Sequence, residues 1–283
     1  MSIKNQFKTV ILLGLLTGIL LWVGSLWGKS GLLFALIFSV LMNFFAYWFS
    51  DKIALAIYRA KPITEKESPR LYKIVREVSK TAGIPMPKVY IVPGAWSNAF
   101  ACGRNKNHAA VAATQGILDL LNDDELKGVI AHEASHIKNN DILIQSVAAT
   151  IAAVIGYIAM MARWGAMFGG GGRDRRGNGL ELLVLAILTP LLATLIQLAI
   201  SRSREYFADE SGAKLLHNGN GLASALEKLE ADVKNKPLLP TSSTETTAHM
   251  MIHNPFRGGA WISFFMTHPA TKLRVAKLKA MKF

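Results

Sequence analysis

The sequence predicts an α+β membrane protein, mostly helical, with four hydrophobic spans and a polar region that contains a small antiparallel sheet. Three observations lead there. Thr9–Gly28, Ser30–Ser50, Ile142–Ala162 and Leu182–Ser201 contain no Asp, Glu, Lys or Arg, and each is about 20 residues long, enough to cross about 30 Å of hydrocarbon as a helix. Between the second and third spans lie short apolar runs broken by turn residues, the pattern of strands. The remaining polar sequence carries helix caps followed by helical periodicity.

The first span is too long for a removed signal peptide and has no small-residue cleavage site before more apolar sequence, so it reads as a retained anchor. After the second span, Glu67–Thr81 reads as a helix, with Pro69 in its first turn and Gly83 just past its end. Lys88–Val92 is β-branched and aromatic and ends at Pro93-Gly94, a turn pair. Ser97–Cys102 and Ala109–Thr114 follow, separated by the polar turn Gly103–His108, and complete the expected antiparallel sheet. Asn122-Asp123-Asp124-Glu125 supplies an N-cap and an acidic first turn for the next helix, which runs toward the third span near Asp141. Gly169–Gly172 with Arg173–Asn178 forms a hairpin tip. Its glycines lack the Lys-Ser/Thr of a phosphate loop. Pro190 should kink the fourth span. Gly221–Lys234 is an amphipathic helix, Lys236–Thr267 a long loop rich in Pro, Ser, Thr and Gly, and Lys272–Lys282 a short basic helix. The chain divides into a transmembrane hairpin (1–50), a first polar part (51–141), a second hydrophobic hairpin (142–201) and a second polar part (202–283).

Of the 283 residues, 51% are hydrophobic and only 18% charged, low for a soluble protein. Lys4 and Lys8 precede the first span and Lys52, Arg59 and Lys61 follow the second, while Lys29 alone lies between. The positive-inside tendency therefore puts both ends of that hairpin, and the polar region after it, in the cytoplasm. The second hairpin argues back, because Arg163, Arg173, Arg175 and Arg176 surround its tip against Asp174. Either it spans against the tendency or it is partly embedded, and both stay open. The net charge of +13 is scattered over membrane flanks and helices, with no basic stripe interleaved with aromatics, so anionic lipid headgroups are expected as partners and nucleic acid is not. Cys102 is the one cysteine, so no intrachain disulfide forms. It reads as a small packed residue.

His132-Glu133-Ala134-Ser135-His136 carries the chemistry. Two histidines one helical turn apart reach a single metal ion, and the glutamate between them stands where a base takes a proton from water. A catalytic metal needs a third protein ligand. In one zinc-protease class it stands six residues beyond the second histidine, following a glycine. Those positions are Ile142 and Asn139 here, which excludes that class. In the other, a later helix supplies a glutamate, with an aspartate one turn on that orients a ligating histidine. Glu205 and Asp209 have that spacing. They emerge beside the membrane where the His132–His136 helix enters it. Asp141 either orients a residue of the site or marks the membrane boundary.

His132-Glu133-x-x-His136-x4-Asp141, Ser201-Arg202-x-Arg204-Glu205-Tyr206-x-Ala208-Asp209 and Thr267-His268-Pro269-x-Thr271-x2-Arg274 together resemble the signatures of the HtpX-type membrane zinc metallopeptidases. Ser97-Asn98-Ala99-Phe100-Ala101 is similar to the motif before their catalytic helix. The related CAAX prenyl proteases share the zinc motifs but carry more spans. The resemblance implies that 51–141 and 202–283 are the two parts of one zincin-like, cytoplasmic metalloprotease domain of the gluzincin kind. It implies one Zn2+ per chain held by His132, His136 and Glu205, with Glu133 as catalytic base. It further implies an integral, multi-pass protein of the bacterial inner membrane, both termini cytoplasmic, acting in stress response and protein quality control. Its substrates would be misfolded membrane proteins and some unfolded soluble ones, and its partners other membrane quality-control proteases.

Around that site, His268 is a candidate oxyanion helper, or else a cap at the Pro269 helix start. The strand Ser97–Cys102 is expected to offer its edge to an extended substrate, with Asn98, Ala99 and Phe100 as substrate-binding residues. His249 and His253 read as surface residues of the long loop. Two rival readings are a scaffold with a structural zinc, against which Glu133 argues, and a zinc amidohydrolase acting on non-peptide amides.

Overall fold

The computed structural model describes residues 2–25, 28–151, 202–239, 247, 250–253 and 269–283. Helices α1 (Ser2–Ser25) and α2 (Gly28–Trp48) run antiparallel, tied by Asn43 Nδ2 donating to Thr17 Oγ1 at 2.8 Å. Such interhelical polar bonds are a form of contact found in an apolar setting, though the Asn43 Oδ1 is left buried without a partner among the described residues. Among the described residues one helix, Gly28–Trp48, is long and apolar enough to cross a membrane, with Thr9–Trp22 and Asp141–Ile151 as shorter apolar helices. Four spans were expected. The fourth, with Pro190, the glycine-rich tip and most of the third, lies outside the described residues.

Helix α3 (Ser50–Ile57) leads to β1 (Lys61–Pro62) and α4 (Pro69–Ala82). As expected, Pro69 opens α4 and Gly83 closes it in the left-handed region at φ 68°, a conformation glycine adopts without Cβ strain. The sheet contains β1, β2 (Lys88–Val92), β3 (Ala99–Asn105) and β4 (His108–Thr114) in the order β1-β2-β4-β3. Three strands overlap the expected runs, but β3 extends through Asn105 into the expected turn, β1 was not expected, and the sheet is mixed rather than antiparallel. β1–β2 and β3–β4 are antiparallel, while β2 and β4 run parallel with Lys88 opposite Ala110. The chain skips a position after β2, places β3 at the edge, and folds β4 back between them. Near the hairpin the ladder shifts at Gly103, whose φ is 142° and where a Cβ would stand 2.2 Å from the His108 carbonyl oxygen.

Both faces of the sheet are buried. Ala99, Ala101, Val111 and Ala113 join the core with α4 and the helices below, while Phe100, Cys102 and Ala112 pack with α3 residues Ala54 and Leu55 and with Met250 and Met251. Double burial erases the apolar–polar alternation of a one-sided sheet.

Helix α5 (Gln115–Leu120) precedes α6 (Asp123–Lys138), which opens on a complete capping box: Asn122 accepts from the Glu125 N–H and Glu125 from the Asn122 N–H, each at 2.9 Å. A turn at Asn139–Asn140, with Asn140 at φ 56°, separates α6 from α7 (Asp141–Ile151), so the helix does not run straight into the third span. Asparagine tolerates this backbone. α7 residues Leu143, Ile144 and Val147 pack with Leu12, Leu16 and Met42 of the first hairpin. Three further helices, α8 (Arg202–Leu216), α9 (Asn220–Asn235) and α10 (Thr271–Lys279), complete the described chain. α8 and α9 lie close against α6: a Cβ on Gly212 would come 3.0 Å from the Ala131 carbonyl carbon, and one on Gly128 2.6 Å from the Leu222 nitrogen. Small residues let the backbones meet.

Candidate metal centre

α6 is buried from Val129 to Ile137, and it carries His132, Glu133 and His136 into the interior. α8 presents Glu205, 1% exposed, from its first turn. The two imidazole Nε2 atoms lie 3.2 Å apart, and the Glu205 carboxylate oxygens stand 3.6 Å from each. Three donors around a tetrahedral Zn2+, with bonds of about 2.0–2.1 Å, should sit about 3.3–3.4 Å from one another. The observed spacing fits. Two nitrogens and a carboxylate oxygen are also a donor set zinc accepts.

Behind each histidine stands an aspartate, and behind each aspartate an arginine. His132 Nδ1 lies 2.9 Å from Asp209 Oδ1, and Arg274 grips Asp209 with two bonds of 2.8 and 2.7 Å. His136 Nδ1 lies 3.2 Å from Asp141 Oδ2, and Arg204 Nε is 3.3 Å from Asp141 Oδ1. For His136, an Nδ1–H donated to Asp141 leaves the Nε2 lone pair facing forward, while His132 Nδ1 meets Asp209 as a close charged contact. The Asn139–Asn140 turn brings Asp141 back beneath His136. Asp141 therefore sits at the site, the first of its two expected places. Asp209, Glu205 and Arg204 all come from one turn and a half of α8. Arg204 and Arg274 stand in the sequence motifs, but spacing alone gives neither a part in the site. Arg274, 2% exposed on α10, is recognisable in hindsight as a guanidinium too deeply placed to be a surface charge.

Four carboxylates (Glu133, Asp141, Glu205, Asp209) share this buried space with two arginines. A divalent cation would neutralise the remainder. Burial, the largest influence on His132, opposes its charged form, but the carboxylates of Asp209 and Glu205 outweigh it and raise its pKa from 6.5 to about 9. Burial pushes the Glu133 carboxyl up, against the pull of His132 and His136 and a hydrogen bond from the Ala101 N–H. Asp209 stays below the usual carboxylate range because Arg274 and His132 overcome the cost of its burial.

β3 forms the sheet edge beside this centre, as expected, but part of that edge is occupied. The Ile252 N–H donates to the Ala99 carbonyl at 3.1 Å, and Asn98 Nδ2 to the His253 carbonyl at 2.6 Å. Arg274 Nη1 holds the Ile252 carbonyl at 2.8 Å. Asn98 and Phe100 are buried, Asn98 turned to the chain's own backbone and Phe100 to the face of the sheet away from α6. Parts of the Lys236–Thr267 loop are likewise packed: Met250, Met251 and Ile252 are buried and Thr247 bonds the Tyr58 hydroxyl at 2.5 Å, whereas Lys236 and Leu239 at its start are exposed. His249 and His268 lie outside the described residues. Cys102 is a buried sheet residue whose thiol is pushed up by burial.

A buried His-Glu-x-x-His helix completed by a glutamate from a later helix defines a metallopeptidase site of the glutamate-ligand class. Comparison with known proteins agrees. A model of peptidase family M48 matches residues 65–282, and the chain belongs to that family. Relatives described as "Protease HtpX homolog" include one from Syntrophotalea carbinolica, 52% identical over 280 residues with 98% of this chain and 99% of the relative covered. Another, from Pyrococcus furiosus, is 50% identical over 281 residues with 99% and 96% covered. The crystal structure of S. mikatae Ste24p shares the fold at a TM-score of 0.53 and 17% identity, over 98% of this chain and 66% of that longer one.

Proposed function

We propose that this chain is a membrane-integrated, zinc-dependent endopeptidase that cuts misfolded or damaged membrane proteins, and some unfolded soluble ones, at the cytoplasmic face. The observation that carries the chemistry is the spacing of the His132, His136 and Glu205 donors, 3.2–3.6 Å apart, with Glu133 buried among them. His132, His136 and Glu205 would hold Zn2+, which when bound supplies Lewis acidity toward the scissile carbonyl and lowers the pKa of water toward about 7. Asp209 and Asp141 keep the two imidazoles turned with Nε2 forward, Arg274 holds the Asp209 carboxylate ionised, and Arg204 pairs with that of Asp141. Glu133 takes the proton of the attacking water and returns it to the departing amine.

An extended peptide would pair with the β3 edge, reading backbone rather than sequence. The Ile252 N–H on the Ala99 carbonyl marks where a substrate amide would bind. Substrate must then displace that segment.

The test is Glu133→Gln. Zinc content should stay near one per chain while cleavage of an unfolded protein falls by at least roughly 10²–10⁴-fold. A Gln variant that cuts casein at the wild-type rate would remove Glu133 as the base.

A further inference from the structure

The exposed face of α2 carries Ile37, Leu41, Phe44 and Trp48, a stripe at helical spacing that would lie against lipid. At Trp48 the stripe ends in a cleft of about 350 Å³ whose near wall is Phe44, Trp48 and Phe49. The far wall comes from the sheet. Lys88 starts β2, Arg104 lies near the end of β3, His108 starts β4, and Lys52 reaches in from α3. The Arg104 guanidinium sits 4.6 Å over the Trp48 ring and the Lys52 ammonium 5.1 Å over that of Phe49.

Charge decides the occupant. Lys52, Lys88 and Arg104 make no ion pair among the described residues, and Asp51 is the one carboxylate in the cleft. Three cations against one anion leave two positive charges where an apolar helix stripe meets polar protein. Aromatic rings at that level are the side chains that sit at a bilayer's interface. Basic clefts beside a span on that level suit phosphate headgroups, and a guanidinium fork matches phosphate geometry.

We propose that this cleft is a binding site for an anionic glycerophospholipid. The phosphate lies between Lys88 and Arg104, and an acyl chain runs along Phe44 and Leu41. The inference rests on reading α2 as a membrane span. It has a consequence for the centre, because the strand that supplies Arg104 also supplies Ala101, whose N–H meets Glu133. A bound headgroup fastens β3 to the bilayer surface and fixes the height of the peptide-pairing edge.

The test uses the full chain in nanodiscs of phosphatidylglycerol or of phosphatidylcholine, with lipid retention read by native mass spectrometry. Wild type should retain phosphatidylglycerol preferentially. Replacing both cations in Lys88→Gln/Arg104→Gln should lower that retention by about 10- to 30-fold, given the usual contribution of a basic residue at an anionic surface. Lys66→Gln/Lys80→Gln, which removes equal charge from α4 and its approach, should change it little, and Arg104→Lys should restore most of it beside an intact Lys88. Equal loss in both double variants would overturn the site, leaving only general attraction. Inorganic phosphate that displaces phosphatidylglycerol at millimolar concentration would also overturn it, in favour of a free-phosphate site. Alkaline carbonate extraction reads the membrane assignment separately: a wild-type chain released by carbonate would sink the span itself, whatever the lipid preference.

Discussion

The histidines and Glu133 were legible because a 3.6-residue period turns sequence spacing into geometry, and Glu205 with Asp209 was legible for the same reason on α8. The part the arginines play was not, since Arg274 meets Asp209 only through the tertiary fold and its place in a motif does not name that partner. Burial makes Arg274 matter. Replacing it with Gln leaves the buried Asp209 carboxylate with the His132 ring and no full countercharge in the zinc-loaded protein, which should cost about 3–5 kcal/mol. Urea unfolding of the zinc-loaded chain measures this, and a loss under 1 kcal/mol would mean that water already reaches Asp209. His132 gives a second prediction. Its ring in the metal-free protein keeps a proton to about pH 9, yet zinc binds the neutral ring, so zinc affinity should climb with pH by up to about tenfold per unit and level off above about 9. A pH-independent affinity in chelator competition would refute this. The same raised pKa stabilises the metal-free fold below the unfolded value of 6.5, a contribution lost as pH rises toward about 9.

At the scale of elements, helix limits came close to expectation because caps are local: Asn122, Pro69 and Gly83 do in the structure what their residue types suggest. Strand order did not, because it depends on which run the folded hairpin slides between, and two-sided burial removed the alternation that could have helped. Close helix packing is a tertiary property too. Gly128→Ala would push a methyl to 2.6 Å from the Leu222 nitrogen, and overpacking of this kind should cost roughly 1–3 kcal/mol and loosen α6 from α9. Thermal melting with zinc assay checks both. The occupied edge of β3 predicts the opposite kind of effect. Ile252→Pro removes the N–H that holds the Ala99 carbonyl and should raise turnover of an unfolded protein by roughly 2- to 10-fold, the worth of one backbone hydrogen bond. Ile252→Val keeps the N–H and should not. Equal rates in the two variants would show that the segment never blocks the edge.

For the molecule as a whole, a metal held by His132, His136 and Glu205 would tie together elements distant in sequence. Removing it would leave four buried carboxylates against two arginines and, at neutral pH, a protonated His132, so chelation should lower Tm, and readdition of Zn2+ should restore it through mass action on the folded state. An unchanged Tm after complete zinc removal would mean that protons on the histidines compensate fully. The apolar α2 was evident from the uncharged run Ser30–Ser50, whereas its exposed stripe and the cleft at its end were not, because Lys52, Lys88, Arg104 and His108 converge only once the sheet is ordered.

The order in which the site is completed along the chain has a further consequence. His132 and His136 are synthesised well before Glu205, and Arg274 comes later still. A partly made chain therefore holds two of the three donors and Glu133 but no Glu205, and its β3 edge still lacks the Ile252 N–H. On the function proposed above, such an unfinished chain would be silent toward unfolded polypeptides. Cutting would begin only once residues through Arg274 had been made, so that the timing of synthesis would act as a safety catch.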